Sequence, residues 1–81
     1  MPIIDLAVVR VVPDCLARWQ RQTDGVVRQL ADGSIQPGPG IAFANVFDDG
    51  RLSVSCTVAP GYDIFLTAEP HEWSRADQAA Q

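Results

Sequence analysis

The 81-residue sequence has no lysine, and its six arginines stand against ten acidic residues for a formal net charge of −4. Phosphate backbones are gripped by clustered lysine and arginine, so this composition excludes nucleic acid as a partner. An acidic surface would instead suit a basic partner protein. Histidine occurs once, at His71, and no serine sits in a Gly-x-Ser-x-Gly turn. That leaves no nucleophile with its own base and orienting acid, and no constellation that demands catalysis. The two cysteines, Cys15 and Cys56, have neither the number nor the spacing of a disulfide framework or a zinc site, and Cys56 reads as a small core side chain. No apolar run approaches the roughly 20 residues that cross a bilayer, so no membrane association is expected. The start lacks a basic leading segment and carries Asp5 inside its apolar stretch, unlike a signal peptide. A cytoplasmic location is the expectation.

Other candidate chemistry is equally sparse. Glycines within residues 36–41 do not sit between a strand and a helix as a phosphate-binding loop requires. Glu69, His71 and Glu72 read as solvated polar residues rather than metal ligands, and Asp48 with Asp49 reads as a turn. Neither cofactor nor metal is expected.

What the sequence does contain is a sheet. Leu52, Val54, Cys56 and Val58 alternate with Arg51, Ser53, Ser55 and Thr57, the period of two of a strand buried on one face. Asp49-Gly50 ahead of it predicts a two-residue hairpin turn that sets Phe47 opposite Leu52 and Asn45 opposite Val54. Beyond it, a three-residue connection through Ala59, Pro60 and Gly61 pairs Val58 with Tyr62, Cys56 with Ile64 and Val54 with Leu66, which keeps apolar side chains on one face. Residues 41–68 thus predict a three-stranded antiparallel meander. Phe43, Asn45, Phe47 and Tyr62 fall on its inner face. Ala42, Ala44, Val46, Ser53, Ser55, Thr57, Asp63, Phe65 and Thr67 fall on the outer one.

The amino-terminal half is less clear-cut. Residues 3–12 are apolar on both sides apart from Asp5 and Arg10, as a covered strand requires. Pro13 interrupts them and Asp14 is a candidate N-cap, after which Leu16, Trp19, Thr23, Val26 or Val27, and Leu30 recur at helical steps up to Gly33. The predicted class is α+β in the order β-α-β-β-β. Three Asp-Gly pairs, at 24–25, 32–33 and 49–50, leave open an all-β alternative, a small sandwich or barrel in which residues 15–23 and 26–31 are strands. Residues 34–40 read as a loop on either view. One domain is expected over residues 1–68, with 69–81 a short helix opened by Pro70 or a flexible tail.

The opening Met1-Pro2-Ile3-Ile4, followed by Thr23-Asp24-Gly25-Val26-Val27 and Leu30, resembles the start of the 4-oxalocrotonate tautomerase family over about 30 residues. Thr67, Glu69, Pro70 and Trp73 resemble, more loosely, a later segment of that family. The resemblance implies an enzyme in which Pro2, freed by removal of Met1, is the general base of a keto-enol proton transfer and Arg10 holds an acidic substrate.

The competing expectation is a non-enzymatic interaction module, an inhibitor or assembly subunit. Its motive is the outer sheet face, where Val46 and Phe65 stand as apolar anchors among Ser55, Thr57 and Asp63, the residues assigned to binding. A chain of this length buries only roughly 60% of its unfolded surface, so a homo-oligomer would add to a thin core.

Overall fold

A computed structural model describes residues 3–38 and 42–76. The described residues form an α+β fold with one α-helix and seven strands, all paired antiparallel in three small sheets. The chain runs through a 3-10 turn at Leu6–Val8, β1 (Val9–Val11), α1 (Pro13–Gln22), β2 (Val27–Gln29), β3 (Ile35–Pro37), β4 (Ala42–Val46), β5 (Leu52–Ala59), β6 (Tyr62–Ala68), a second 3-10 turn at Pro70–Glu72 and β7 (Trp73–Arg75). The α+β class holds. The order is longer than β-α-β-β-β, because a hairpin follows the helix and a strand follows the meander.

The predicted first strand is broken into pieces. Ile3 makes an isolated bridge to Asn45, Asp5 caps the first 3-10 turn by accepting from the Ala7 N–H, and only Val9–Val11 is strand. Asp14 is not the N-cap. Val12 holds that position without a side-chain bond, Pro13 occupies the first turn where its missing N–H costs nothing, and Asp14 lies inside that turn beside the positive end of the helix dipole.

The helix is also shorter than its apolar stripe predicted. Asp24 and Gly25 take φ of +54° and +84°, and the Gly25 N–H donates to the Gln20 carbonyl at 2.7 Å. That six-to-one bond over a left-handed residue is a Schellman stop. Cys15, Leu16 and Trp19 are the buried face of what remains. Val27 continues the stripe in sequence but belongs to β2, which pairs with β3 inside the segment expected to be loop. Residues 15–22 are therefore helical with Thr23 as the C-cap, while the all-β alternative anticipated the strand over 27–29.

The two Asp-Gly hairpins share one geometry. Leu30 N–H donates to the Ser34 carbonyl and Gly33 N–H to the Leu30 carbonyl, just as Phe47 N–H donates to Arg51 and Gly50 N–H to Phe47. Asp32 and Asp49 each accept from the backbone N–H two residues on, and Gly33 and Gly50 take φ near +90°. These are three-residue loops closed by a left-handed glycine, not the two-residue turns that Asp-Gly alone suggests.

The extra loop residue moves β4 by one position: Val46 pairs with Leu52, Ala44 with Val54 and Ala42 with Cys56. A one-residue slip exchanges the faces. Ala42, Ala44 and Val46 therefore point inward and Phe43 points out, correcting the expected arrangement. At the next hairpin the interior pairs Cys56 with Ile64 and Val54 with Leu66 stand as expected, but Ala59 pairs with Tyr62 across Pro60-Gly61 and Val58 is bulged. The bulge absorbs the residue assigned to a longer loop, and it leaves Tyr62 exposed.

Trp73 lies in β7 rather than in a helix. β7 pairs with β1, and the Pro70–Glu72 turn before it is locked by a capping box between Glu69 and Glu72. One core cluster joins Val9 and Val11, the buried helix face, Val27, Ile35 and the inner residues Ala44, Leu52, Val54, Cys56, Leu66 and Ala68. The expected tail of residues 69–81 is thus ordered fold as far as residue 76, and residues 77–81 lie outside the described residues.

Candidate functional site: the outer face of the meander

Directly paired residues of antiparallel strands project to the same side of their sheet. Phe43 pairs with Ser55 and Ser55 with Phe65, so the three form one row across β4, β5 and β6. Neither ring is covered. Phe43 is 58% exposed and Phe65 72% exposed. The small Ser55 between them leaves the flanking rings standing proud of the sheet.

The neighbouring row reads Ile3, Asn45, Ser53 and Thr67, with Ile3 bridged to Asn45 and 75% exposed. On the other side Thr57 pairs with Asp63, and the Thr57 hydroxyl donates to Asp63 Oδ1 at 2.7 Å. The face is three large apolar side chains set among serine, threonine, asparagine and one carboxylate. Phe43 and Ile3 also line a cleft of about 330 Å³ between the amino-terminal segment, β3 and β4, with Leu6, Ile35 and Pro37 in its wall. Apolar surface thus continues from the open face over the edge of β4.

Of the residues assigned to binding, Phe65, Ser55, Thr57 and Asp63 share this face. Val46 does not: it pairs with Leu52 and packs, partly buried, against the core. Its alternation was read one residue out of register. Phe43 and Ile3 were missed for the same reason and because the bridge to Asn45 joins segments 42 residues apart, respectively. The Asp48-Asp49-Gly50 triplet, read as a three-residue loop, was the signal that would have found Phe43.

Arg10 lies on the exposed side of β1, and its Nη2 donates to the Asp32 carbonyl at 2.8 Å while its chain lies against Gly33. It acts as a strap over the β2–β3 loop. Pro2 lies outside the described residues. Glu69 and Glu72 serve each other's backbone N–H, and Glu72 also binds Arg18. Cys15 and Cys56 are free buried thiols, both pushed up in pKa by burial. Among the described residues no group of three or more histidine, cysteine or carboxylate side chains is placed to hold a metal, and no helix is long and apolar enough to cross a membrane.

Compared with family models, curated proteins and solved structures, the chain matches none.

Proposed function

We propose that this chain is a protein-interaction module whose docking surface is the outer face of β4, β5 and β6. The observation that carries the reading is the Phe43–Ser55–Phe65 row, two exposed aromatic rings flanking a serine on one face of the sheet. Aromatic residues, phenylalanine included, are enriched at protein–protein interfaces, and exposed apolar side chains gathered on one face mark interaction sites. A partner's apolar side chain seats over Ser55 between the rings, and a basic side chain beside it meets Asp63. Ile3 and the cleft behind Phe43 extend the apolar contact. Under the tautomerase resemblance Pro2, which lies outside the described residues, would be the base, and the cation assigned to the substrate, Arg10, donates instead to the Asp32 carbonyl.

The test places a photo-reactive amino acid at Ser53, beside the row, in cells that make this protein natively, and identifies what it captures. Capture of one defined protein, lost in the Phe43→Ser/Phe65→Ser double variant, is the expected result. The double variant keeps its unfolding free energy within about 1 kcal/mol of the parent, the range of surface changes. Capture unaffected by the double substitution would refute the reading, as would a variant that no longer folds.

A further inference from the structure

Backbone N–H and C=O groups along a strand point alternately to its two sides. The Phe47 N–H bonds the Arg51 carbonyl, so Arg51, Ser53 and Ser55 bond toward β4, and Leu52, Val54 and Cys56 bond toward β6. On β6 this turns Ile64, Leu66 and Ala68 inward. Asp63, Phe65 and Thr67 are left with their backbone groups on the open edge. Two further bonds agree: the Ala44 carbonyl points away from β5 to accept from Ile4 N–H at 3.2 Å, and the Thr67 carbonyl points away to accept from Arg18 Nη2 at 3.1 Å. β6 ends its sheet, and among the described residues only the Thr67 carbonyl on this edge has a partner.

Sheet edges are normally blunted by charge, proline or a covering element, because open N–H and C=O groups recruit another strand. Here Arg18 guards one end and Asp63 marks the other. The centre, at Phe65, has neither device.

We infer that β6 pairs with β6 of a second copy of this chain, antiparallel about a two-fold axis at Phe65, to form a six-stranded sheet. Such an interface must be self-complementary. About the Phe65 axis residue 63 meets residue 67 of the second copy, so each Asp63 faces a threonine instead of the other Asp63, and no like charges oppose. Phe65 exchanges both backbone bonds with its counterpart, and Thr67 N–H donates to the Asp63 carbonyl, for about four bonds in all with the Thr67 carbonyl left to Arg18. Directly opposed residues share a face, so the two Phe65 rings lie side by side and cover each other. The row then reads Phe43, Ser55, Phe65, Phe65, Ser55, Phe43. This pairing does not depend on the proposed docking partner, although it would double the surface offered to one.

The experiment combines sedimentation with amide hydrogen exchange across a concentration series of the unaltered protein. The expected mass is twice the 8.8 kDa of one chain, with exchange at Asp63, Phe65 and Thr67 slowing as concentration rises while Ile64 and Leu66 are slow throughout. Phe65→Cys is expected to cross-link two chains under mild oxidation, since opposed residues in such a pair stand about 5.5 Å apart at Cα, within disulfide range. Asp63→Cys is not, because the two copies of residue 63 are then offset by about 13 Å along the strands. Phe65→Lys brings two cations together at the axis and is expected to raise the dissociation constant roughly 100-fold. If Phe65→Lys fails to fold, the exchange and cross-linking results decide alone. Single-chain mass at all concentrations overturns the inference, as does a dimer whose edge amides exchange freely or one that leaves Cys at 65 unlinked. Edge protection that appears only when an extended peptide is added also overturns it. Phe43→Ser separates the two ideas, since Phe43 lies two strands from this edge: it weakens partner capture and leaves the dimer intact.

Discussion

Glu72 ties the end of the fold to the helix. Its two carboxylate oxygens accept from Arg18 at 3.0 and 3.1 Å, and one also accepts from the Glu69 N–H at 2.9 Å. The Arg18 bond and then the Glu69 N–H hold its pKa at about 2, below the ordinary 4.5. The folded state therefore binds this proton less readily than the unfolded chain. Its contribution to stability is fully present above pH 4.5 and is lost as pH falls from 4.5 toward 2. Thermal unfolding followed across that window is expected to show a falling midpoint, with a flatter fall in Glu72→Gln. Part of the slope will remain in the variant. Asp32, bonded by the Ser34 hydroxyl and N–H, and Asp49, bonded by the Arg51 N–H, are also shifted downward and add to the same acid sensitivity.

Hairpins set the faces of this protein, and their glycines are not equivalent. Gly50 and Gly61 both take a positive φ, at +90° and +75°. A side chain at Gly61 would meet open space, whereas one at Gly50 would come within 3.2 Å of the Pro70 ring. The Gly50 carbonyl also accepts from Trp73 Nε1 at 2.8 Å, so the β4–β5 loop is docked on the segment leading into β7. Gly61→Ala is expected to cost about 1 kcal/mol, the strain of a left-handed L-residue. Gly50→Ala costs more, because the rigid proline must also yield. Denaturant unfolding of the two variants side by side measures the difference, and equal losses would mean that the loop is not held against Pro70. The alternation within β5 was plain in the sequence because the strand reads apolar, polar, apolar throughout, and β6, where Phe65 interrupts that pattern, takes its faces from matching Ile64 and Leu66 to Cys56 and Val54. The position of β4 was not, since apolar side chains stand on both of its alternating series, the rings of Phe43 and Phe47 on one and the small Ala42, Ala44 and Val46 on the other, and the loop length decides between them.

At the scale of the whole molecule, three small sheets are held together by contacts between distant parts of the chain. β7 is the described partner of β1, Val12 N–H donates to the Glu72 carbonyl at 2.8 Å, and Arg18 reaches across from α1. A chain ending at Glu69 would lose all three. Its thermal midpoint is expected to fall by about 10 °C or more, given that each kcal/mol moves a domain of this size by several degrees. An unchanged midpoint would show that the last strand is an accessory. The sequence by itself determined the existence of the meander and the inward set Leu52, Val54, Cys56 and Leu66, because alternation and turn residues act through neighbours along the chain, and it favoured the α+β class while leaving an all-β alternative open. It also carried, in Asp24-Gly25, the true end of the helix, against an apolar stripe that ran on into β2. Only the tertiary structure decided that Phe43 joins Phe65 on the open face, that Val46 turns inward and that residues 73–75 close on β1. Those outcomes rest on loop geometry and on pairings between segments up to 66 residues apart, as between Val9 and Arg75, where local pattern exerts no force.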